Sequence, residues 1–408
     1  MTKDRLQPEE SEVLTSLGVY EETAILRKAL MWGAPGAETV LGQLLPSEIS
    51  CFQTQFDVSE ARREFKTAQT ILEKEGVEVI LVKDLFAKMI HEKGLKPEGN
   101  LGRLKQRIIA RALDYYKMYR DKGVSDIEEV LPWVDETLEA DVEKYGEEAA
   151  VLINEVLSLK NELPLSNVLY ARDQSNLLGR TWIWSSMKHR IRQPEVHLYK
   201  TVLNHCGITS SPELDQIQVT GEGRFEGGDG IVSGGIYYIG VGGRTNLEGV
   251  KQAADPIIQK HGRVIIPFDE ERNSGLKKEM DAMHLDTIWM PCGPKEIVAC
   301  GDEVARRKVL EVVADPAGKL KLTDIGLFAD HLEQRGLDLV PLSKAEQARY
   351  APNFLNLGNG KLVLSLADGN NLTAELTKRG KTVFNADLKN ITKGYGGLHC
   401  MTASIKRG

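Results

Sequence analysis

The chain has no run of the roughly 18 apolar residues that a membrane-crossing helix requires, and its start, Met1-Thr2-Lys3-Asp4-Arg5, leads into acidic residues instead of the apolar core of a secretion signal. Cysteine is scarce. The five residues Cys51, Cys206, Cys292, Cys300 and Cys400 are odd in number and never spaced Cys-x-x-Cys, which argues against a disulfide framework and against a structural zinc site. Basic runs are missing as well: 52 Lys and Arg face 59 Asp and Glu, a net charge of −7, so the electrostatic footprint of a nucleic-acid binder is lacking. From these absences the expectation is a cytoplasmic protein without a membrane anchor, acting as an enzyme or a small-molecule binder. With 41% hydrophobic residues over 408 positions it can bury a large core, as one big domain or two moderate ones.

A helix end, a glycine and a strand start recur five times. The glycines are Gly76 before Val77-Glu78-Val79-Ile80, Gly207 before Ile208, Gly262 before Arg263-Val264-Ile265-Ile266, Gly336 before Leu337-Asp338-Leu339-Val340, and Gly380 before Lys381-Thr382-Val383-Phe384. Each is placed to be the left-handed residue that ends a helix, ahead of an apolar strand. Two units open on hairpins, from Gly230 to Val241 across Ser233-Gly234-Gly235 and from Phe354 to Leu366 across Asn359-Gly360. The repeating unit therefore reads strand, strand, helix, strand. The separation between Gly76 and Gly207 is too long by about one small domain. From Lys83 to Lys160 helical periodicity takes over, as in Leu101, Leu104, Ile108, Ala112, Tyr115 and Tyr119, with Asn100 as N-cap and Gly123 as stop. The expectation is an α/β scaffold of five ββαβ units in pseudo-fivefold closure, residues 1–82 and 161–408, carrying a helical insertion at 83–160.

Four segments put reactive side chains beside glycines or short strands. Asn167-Val168-Leu169-Tyr170-Ala171-Arg172-Asp173 ends a strand-like run; Phe225-Glu226-Gly227-Gly228-Asp229-Gly230 sets two carboxylates around two glycines; the alternation in Met283-His284-Leu285-Asp286-Thr287 puts His284 and Asp286 on one face of a strand; and Gly396-Gly397-Leu398-His399-Cys400-Met401 presents a thiol after paired glycines. Singly, each has a plain structural explanation, as an ion pair, a polar turn, a core histidine or a buried cysteine. Jointly they form a coherent set. Carboxylates in a dry cavity need a cation, and a planar guanidinium matches them two by two. Pinning that cation beside a thiolate gives position and a soft nucleophile together, with the histidine as proton donor to the leaving amine and then as base toward water. Two rivals use the same residues: a metal-dependent hydrolase built on His284, Asp286, Glu226 and Asp229, and a guanidino-binding sensor without turnover.

At this level of detail the chain resembles the arginine deiminase family of guanidine-modifying enzymes. The similarity runs from Leu17-Gly18-Val19-Tyr20 and Leu26-Arg27-Lys28, through Glu226-Gly227-Gly228-Asp229, Ile239-Gly240-Val241-Gly242-Gly243-Arg244-Thr245 and Met283-His284-Leu285-Asp286-Thr287, to the terminal Gly-Gly-x-His-Cys-Met. The resemblance implies a five-bladed α/β propeller whose helical insert separates deiminases from the shorter amidinotransferases. It implies Cys400 as nucleophile forming an amidino-thioether, His284 as general acid and base held by Glu226, and Asp173 and Asp286 as grips on the guanidinium nitrogens. Arg192 and Arg244 match arginines that bind the substrate carboxylate, Asn167 matches a head-group contact, and Asp229 falls with the substrate-binding residues. It further implies arginine or a close guanidino compound as the small-molecule substrate, a ureido product and ammonia, no metal and no organic cofactor, and assembly as a homo-oligomer. An amidinotransferase passing the same amidino group to an amine is the alternative. The chain departs from the family pattern at Tyr395, where a basic residue is usual, at Leu398, where a glycine is usual, and in the pocket-lining segment Leu45 to Gln53.

Overall fold

Strands in the computed structural model, which describes residues 17–408 apart from 278, 279, 281 and 316, fall into five separate sheets. The charged start of the chain, Met1 to Arg5, lies outside the described residues. Every sheet contains the same arrangement: an antiparallel pair whose second strand also pairs, in parallel, with a strand reached through a helical crossover. In chain order the first complete unit is Ser175–Leu178 and Thr181–Trp184, then the helix Gln193–His205, then Asp215–Gln218. The next is Gly230–Ser233 and Ile236–Ile239, the helix Leu247–Lys260, and Arg263–Phe268. Trp289–Gly293, Glu296–Cys300 and Asp338–Leu342 make the third, and Leu355–Gly358, Lys361–Leu364, the helix Asn371–Lys378 and Thr382–Asn385 the fourth. The remaining unit joins the two ends of the chain, with Ala403–Arg407 antiparallel to Leu26–Met31 and that strand parallel to Glu78–Leu81 beyond the helix Val58–Lys74. One sheet is widened by an extra hairpin, Lys308–Ala314 with Leu320–Leu327, which adds to Arg263–Phe268.

Local chemistry explains the unit. Gly76, Gly262, Gly336 and Gly380 all take positive φ where a helix stops and a strand follows, a conformation that costs a residue with a Cβ. Gly207 also ends its helix at positive φ, but no strand begins at Ile208. Residues 208–214 turn instead, with Ser210 N–H donating to Gly207 O and Leu214 N–H to Ser211 O, and the strand starts at Asp215. Both hairpins turn on two left-handed residues, Gly234-Gly235 and Asn359-Gly360, the combination whose twist suits a tight hairpin.

The helical stretch comprises Val82–Glu92, Leu101–Tyr119, Ile127–Tyr145 and Glu147–Ser158. Asn100 Oδ1 caps the second of these by accepting from Arg103 N–H at 3.0 Å, and Leu104, Ile108, Ala112 and Tyr115 form its buried face. That face shares one apolar cluster with Leu41, Phe65, Tyr170, Leu398 and Cys400, so the helical stretch and the thiol segment pack into a common core.

Candidate active site

A short turn precedes the first strand of each unit, and these turns carry the reactive side chains. Asp173 lies in the helical turn Ala171–Gln174, Glu226 and Asp229 flank the turn Gly227–Asp229, His284 caps the 3-10 turn Leu285–Thr287 in which Asp286 sits, and Cys400 lies in Leu398–Met401. Two sequence readings need correction here. The run 167–173 is not strand-like: Tyr170 N–H bonds Asn167 O and Asp173 N–H bonds Tyr170 O, turn bonds that satisfy the backbone locally. Nor are His284 and Asp286 on one face of a strand. Thr287 N–H bonds His284 O, and the strand begins only at Trp289.

The thiol segment is tied from several sides. Arg172, buried, donates from Nε to His399 O at 2.9 Å and Thr402 O at 3.0 Å. The glycines before Cys400 are required by close approach: a Cβ on Gly394 would meet Tyr170 Oη at 1.9 Å, and one on Gly397 would meet Ser365 Oγ at 2.4 Å. Leu398, a departure from the family pattern, buries its side chain fully in the apolar cluster.

Around the sulfur the groups converge. Asp286 Oδ2 lies 3.5 Å from Cys400 Sγ and 2.7 Å from His399 Nδ1. His284 Nε2 is 3.0 Å from Glu226 Oε2, and its Nδ1 is 3.7 Å from Asp173 Oδ1. Arg192 donates to Asp173 Oδ2 at 2.9 Å and to Glu195 at 3.0 Å, while Arg244 donates to Glu226 Oε2 at 3.1 Å. Asn167 donates from Nδ2 to Ser50 O at 2.6 Å. Asp229 braces the neighbouring turn, its Oδ1 accepting from Leu285 N–H at 3.0 Å. Buried atoms in this ring without a hydrogen-bond partner among the described residues include Asp173 Oδ1, Asp286 Oδ1 and His284 Nδ1. A buried polar atom without a partner is costly, and several in one place indicate a ligand that supplies the missing bonds.

Charge states follow from the surroundings. Burial opposes a charge on His284, but the carboxylates of Asp173, Glu226 and Asp229 outweigh it and raise the imidazole to about 9. Glu226 is held well below the usual carboxylate range because Arg244 and His284 overcome its desolvation. Asp286 is lowered likewise, chiefly by His399 against burial. Burial raises Asp229 to about 7. The Cys400 thiol is driven well above its ordinary range by burial and then by the Asp286 and Asp173 carboxylates. At neutral pH these shifts leave the Cys400 thiol neutral, Glu226 and Asp286 ionised and His284 an imidazolium. Asp173, Glu226 and His284 also offer three ligand atoms within 4.8 Å of one another. Arg192 and Arg244 already face the two carboxylates, however, so a divalent ion there would sit beside two guanidinium groups.

Asn167, Tyr170, Asp173, Arg192, Arg244 and Cys400 line a narrow space of about 10 Å³ together with Cys51, Met283 and Tyr395. Cys51, Arg244, Met283 and Tyr395 also line a wider cavity of about 410 Å³, whose wall includes Glu48, Lys188 and His189. The nine residues singled out in the sequence are thus drawn into one bonded neighbourhood, with Asp229 as a brace at its edge. Sequence reasoning missed Asn353, which bonds the thiol segment, while Cys51, from the segment Leu45 to Gln53, lines both spaces. Asn353 had a findable signal: it stands just before a unit's first strand, where the other turns carry theirs.

Set beside known proteins, this mixed α/β architecture shares its fold with solved structures of a dimethylarginine dimethylaminohydrolase and an amidinotransferase. The chain is similar in fold to DDAH from Pseudomonas aeruginosa in complex with citrulline, with a TM-score of 0.54, 15% identity and coverage of 93% of this chain and 99% of that one. It is equally similar to SxtG, an amidinotransferase from Microseira wollei, at TM-score 0.54 and 15% identity over 96% and 97% of the two chains. The family model for arginine deiminase matches residues 51–407, and the chain belongs to that family. Among its relatives are the arginine deiminase of Mycobacterium marinum, 23% identical over 97% of this chain and 99% of the relative, and that of Rhodococcus erythropolis, 26% identical over 96% and 97%.

Proposed function

We propose that the protein is a thiol-dependent hydrolase of the arginine deiminase type, converting arginine or a close guanidino compound to the ureido product and ammonia. The observation that carries this reading is the set of buried atoms without a hydrogen-bond partner, Asp173 Oδ1, Asp286 Oδ1 and His284 Nδ1, with Asp286 reaching to 3.5 Å from Cys400 Sγ. A guanidinium bound there would donate N–H groups to both carboxylates, and its positive charge would offset the anions that keep the thiol protonated. As the cation docks, the thiol releases its proton to solvent, and the thiolate attacks the guanidinium carbon. His284, charged at neutral pH, gives its proton to the departing nitrogen, and ammonia leaves an amidino group bonded to sulfur. Neutral His284 next takes a proton from water as the water oxygen adds to the same carbon. Breaking the carbon–sulfur bond returns the thiolate, and loss of the hydroxyl proton to the solvent releases the neutral ureido product. Glu226 keeps the imidazole oriented and charged through its contact with Nε2.

The far end of the substrate belongs in the wider cavity, where Lys188 and Glu48 have no ion-pair partner among the described residues and suit a carboxylate and an ammonium. The five units are read as propeller blades around one axis with the turns meeting at it, and the chain as a scaffold of residues 1–82 and 161–408 with an inserted domain at 83–160. Mass spectrometry of acid-quenched protein mixed with arginine tests the chemistry, with citrulline and ammonia measured in parallel. An amidino adduct on Cys400, absent in Cys400→Ala, is expected. Amidino transfer to an added amine without ammonia release would assign a transferase instead, and turnover by Cys400→Ala would sink the covalent mechanism.

A further inference from the structure

One side chain holds the thiol segment at its backbone and touches the sulfur as well. Asn353 Oδ1 accepts from the N–H groups of Gly397 at 2.9 Å and Cys400 at 3.0 Å. Its Nδ2 donates to Asp286 O at 3.2 Å and lies 3.1 Å from Cys400 Sγ. The orientation of the amide is fixed by this pattern: two backbone donors converge on one end, which must be the oxygen, so the NH₂ group faces the sulfur. A donor in that place favours the ionised form, because a thiolate accepts a charge-assisted bond about twice as strong as a neutral one.

We propose that Asn353 is a catalytic residue of this site, its Nδ2 stabilising the Cys400 thiolate against the surrounding carboxylates while its Oδ1 fixes where the sulfur points. The two functions are coupled through one planar amide, since rotating it to free the backbone would also withdraw the donor. Asn353 stands before the strand Leu355–Gly358, the position in its own unit that Asp173, Glu226, His284 and Cys400 hold in theirs. Among the influences on the thiol, burial and the Asp286 and Asp173 carboxylates raise it, and the Asn353 bond opposes them. Asn353 is itself fully buried, so no water replaces its amide when the side chain is shortened to alanine except by entering the space it leaves.

The purpose of this arrangement rests on the deiminase reading, but its test does not. The rate of alkylation of Cys400 by iodoacetamide at pH 8, followed at the Cys400 peptide by mass spectrometry, reports the thiolate fraction at a fixed reagent concentration. Asn353→Ala is expected to slow it roughly tenfold or more, the loss corresponding to a hydrogen bond to a charged group, with the rate still climbing at higher pH. Ser365→Ala is the comparison: Ser365 Oγ accepts from Leu398 N–H and donates to Asn353 O without reaching the sulfur, and the pH dependence of alkylation should stay as in the parent. Where Asn353→Ala does not fold, Asn353→Asp retains both accepted backbone bonds while replacing the donor beside the sulfur by a carboxylate, and it must show a slowing at least as large. An unchanged or faster rate in a folded Asn353 variant overturns the proposal. Slowed alkylation in a protein that converts no guanidino compound would instead count against the deiminase reading and leave Asn353 in its role.

Discussion

Gly228 offers a way to move two reactive groups without touching either. A Cβ on Gly228 would lie 2.7 Å from His284 Nδ1, 2.9 Å from its Cγ and 3.1 Å from Asp286 Oδ1. Ordinary contact begins near 3.4 Å, so Gly228→Ala forces the imidazole to retreat by about 0.7 Å, and the backbone gives no relief because Gly228 sits in a 3-10 turn without positive φ. Alanine costs this backbone nothing and restricts the unfolded chain by about 0.4–1 kcal/mol in favour of folding. Overpacking removes about 1–3 kcal/mol. The net loss of stability is therefore modest, roughly 0–2.5 kcal/mol. Geometry suffers more: misplacement of about 1 Å costs on the order of a hundredfold, so kcat should fall roughly ten- to a hundredfold. The assay is ureido-product formation at saturating arginine, with thermal unfolding measured on the same preparation. Gly301→Ala, where an added Cβ meets nothing within 4 Å, controls for glycine replacement as such. A Gly228→Ala protein with kcat within about twofold of the parent would refute the reasoning, because it would mean that the turn between Glu226 and Asp229 does not set the position of His284.

Activity should fall on the alkaline side as pH passes about 9, where His284 loses the proton it must donate; an alkaline limb that persists unchanged in His284→Gln would contradict that assignment. Stability should show the same sign. The imidazole is raised above its ordinary value of 6.5, so its contribution is complete below that pH and is lost as pH rises through about 9, and the slope of melting temperature against pH across this window should flatten in His284→Gln. Arg172→Met removes the charged donor to His399 O and Thr402 O and should lower stability by about 3 kcal/mol in urea unfolding; a change under about 0.5 kcal/mol would mean the C-terminal segment is held by other bonds.

How far the sequence discloses this molecule depends on whether a feature is local. The helix-ending glycines and the two hairpins are local, fixed by backbone sterics at Gly76, Gly262, Gly336, Gly380, Gly234-Gly235 and Asn359-Gly360, and the structure has them at those residues. The junction after Gly207 was misread because a glycine can end a helix without saying what comes next. His284 and Asp286 were misread for a related reason: an apolar-polar alternation fits a strand, yet a 3-10 turn that closes on Thr287 N–H also brings both side chains to one place. Asn353 does not stand out by itself for a different cause, since an asparagine ahead of a strand is an ordinary turn residue until the segment from 397 to 400 is laid against it from another part of the chain. Repetition is what makes such a residue findable. Once one unit is known to place its reactive side chain just before its first strand, the same position in the other four becomes a short list of candidates. In this chain it holds Asp173, Glu226 with Asp229, His284 with Asp286, Asn353 and Cys400, so each of the five units contributes a side chain to the proposed site.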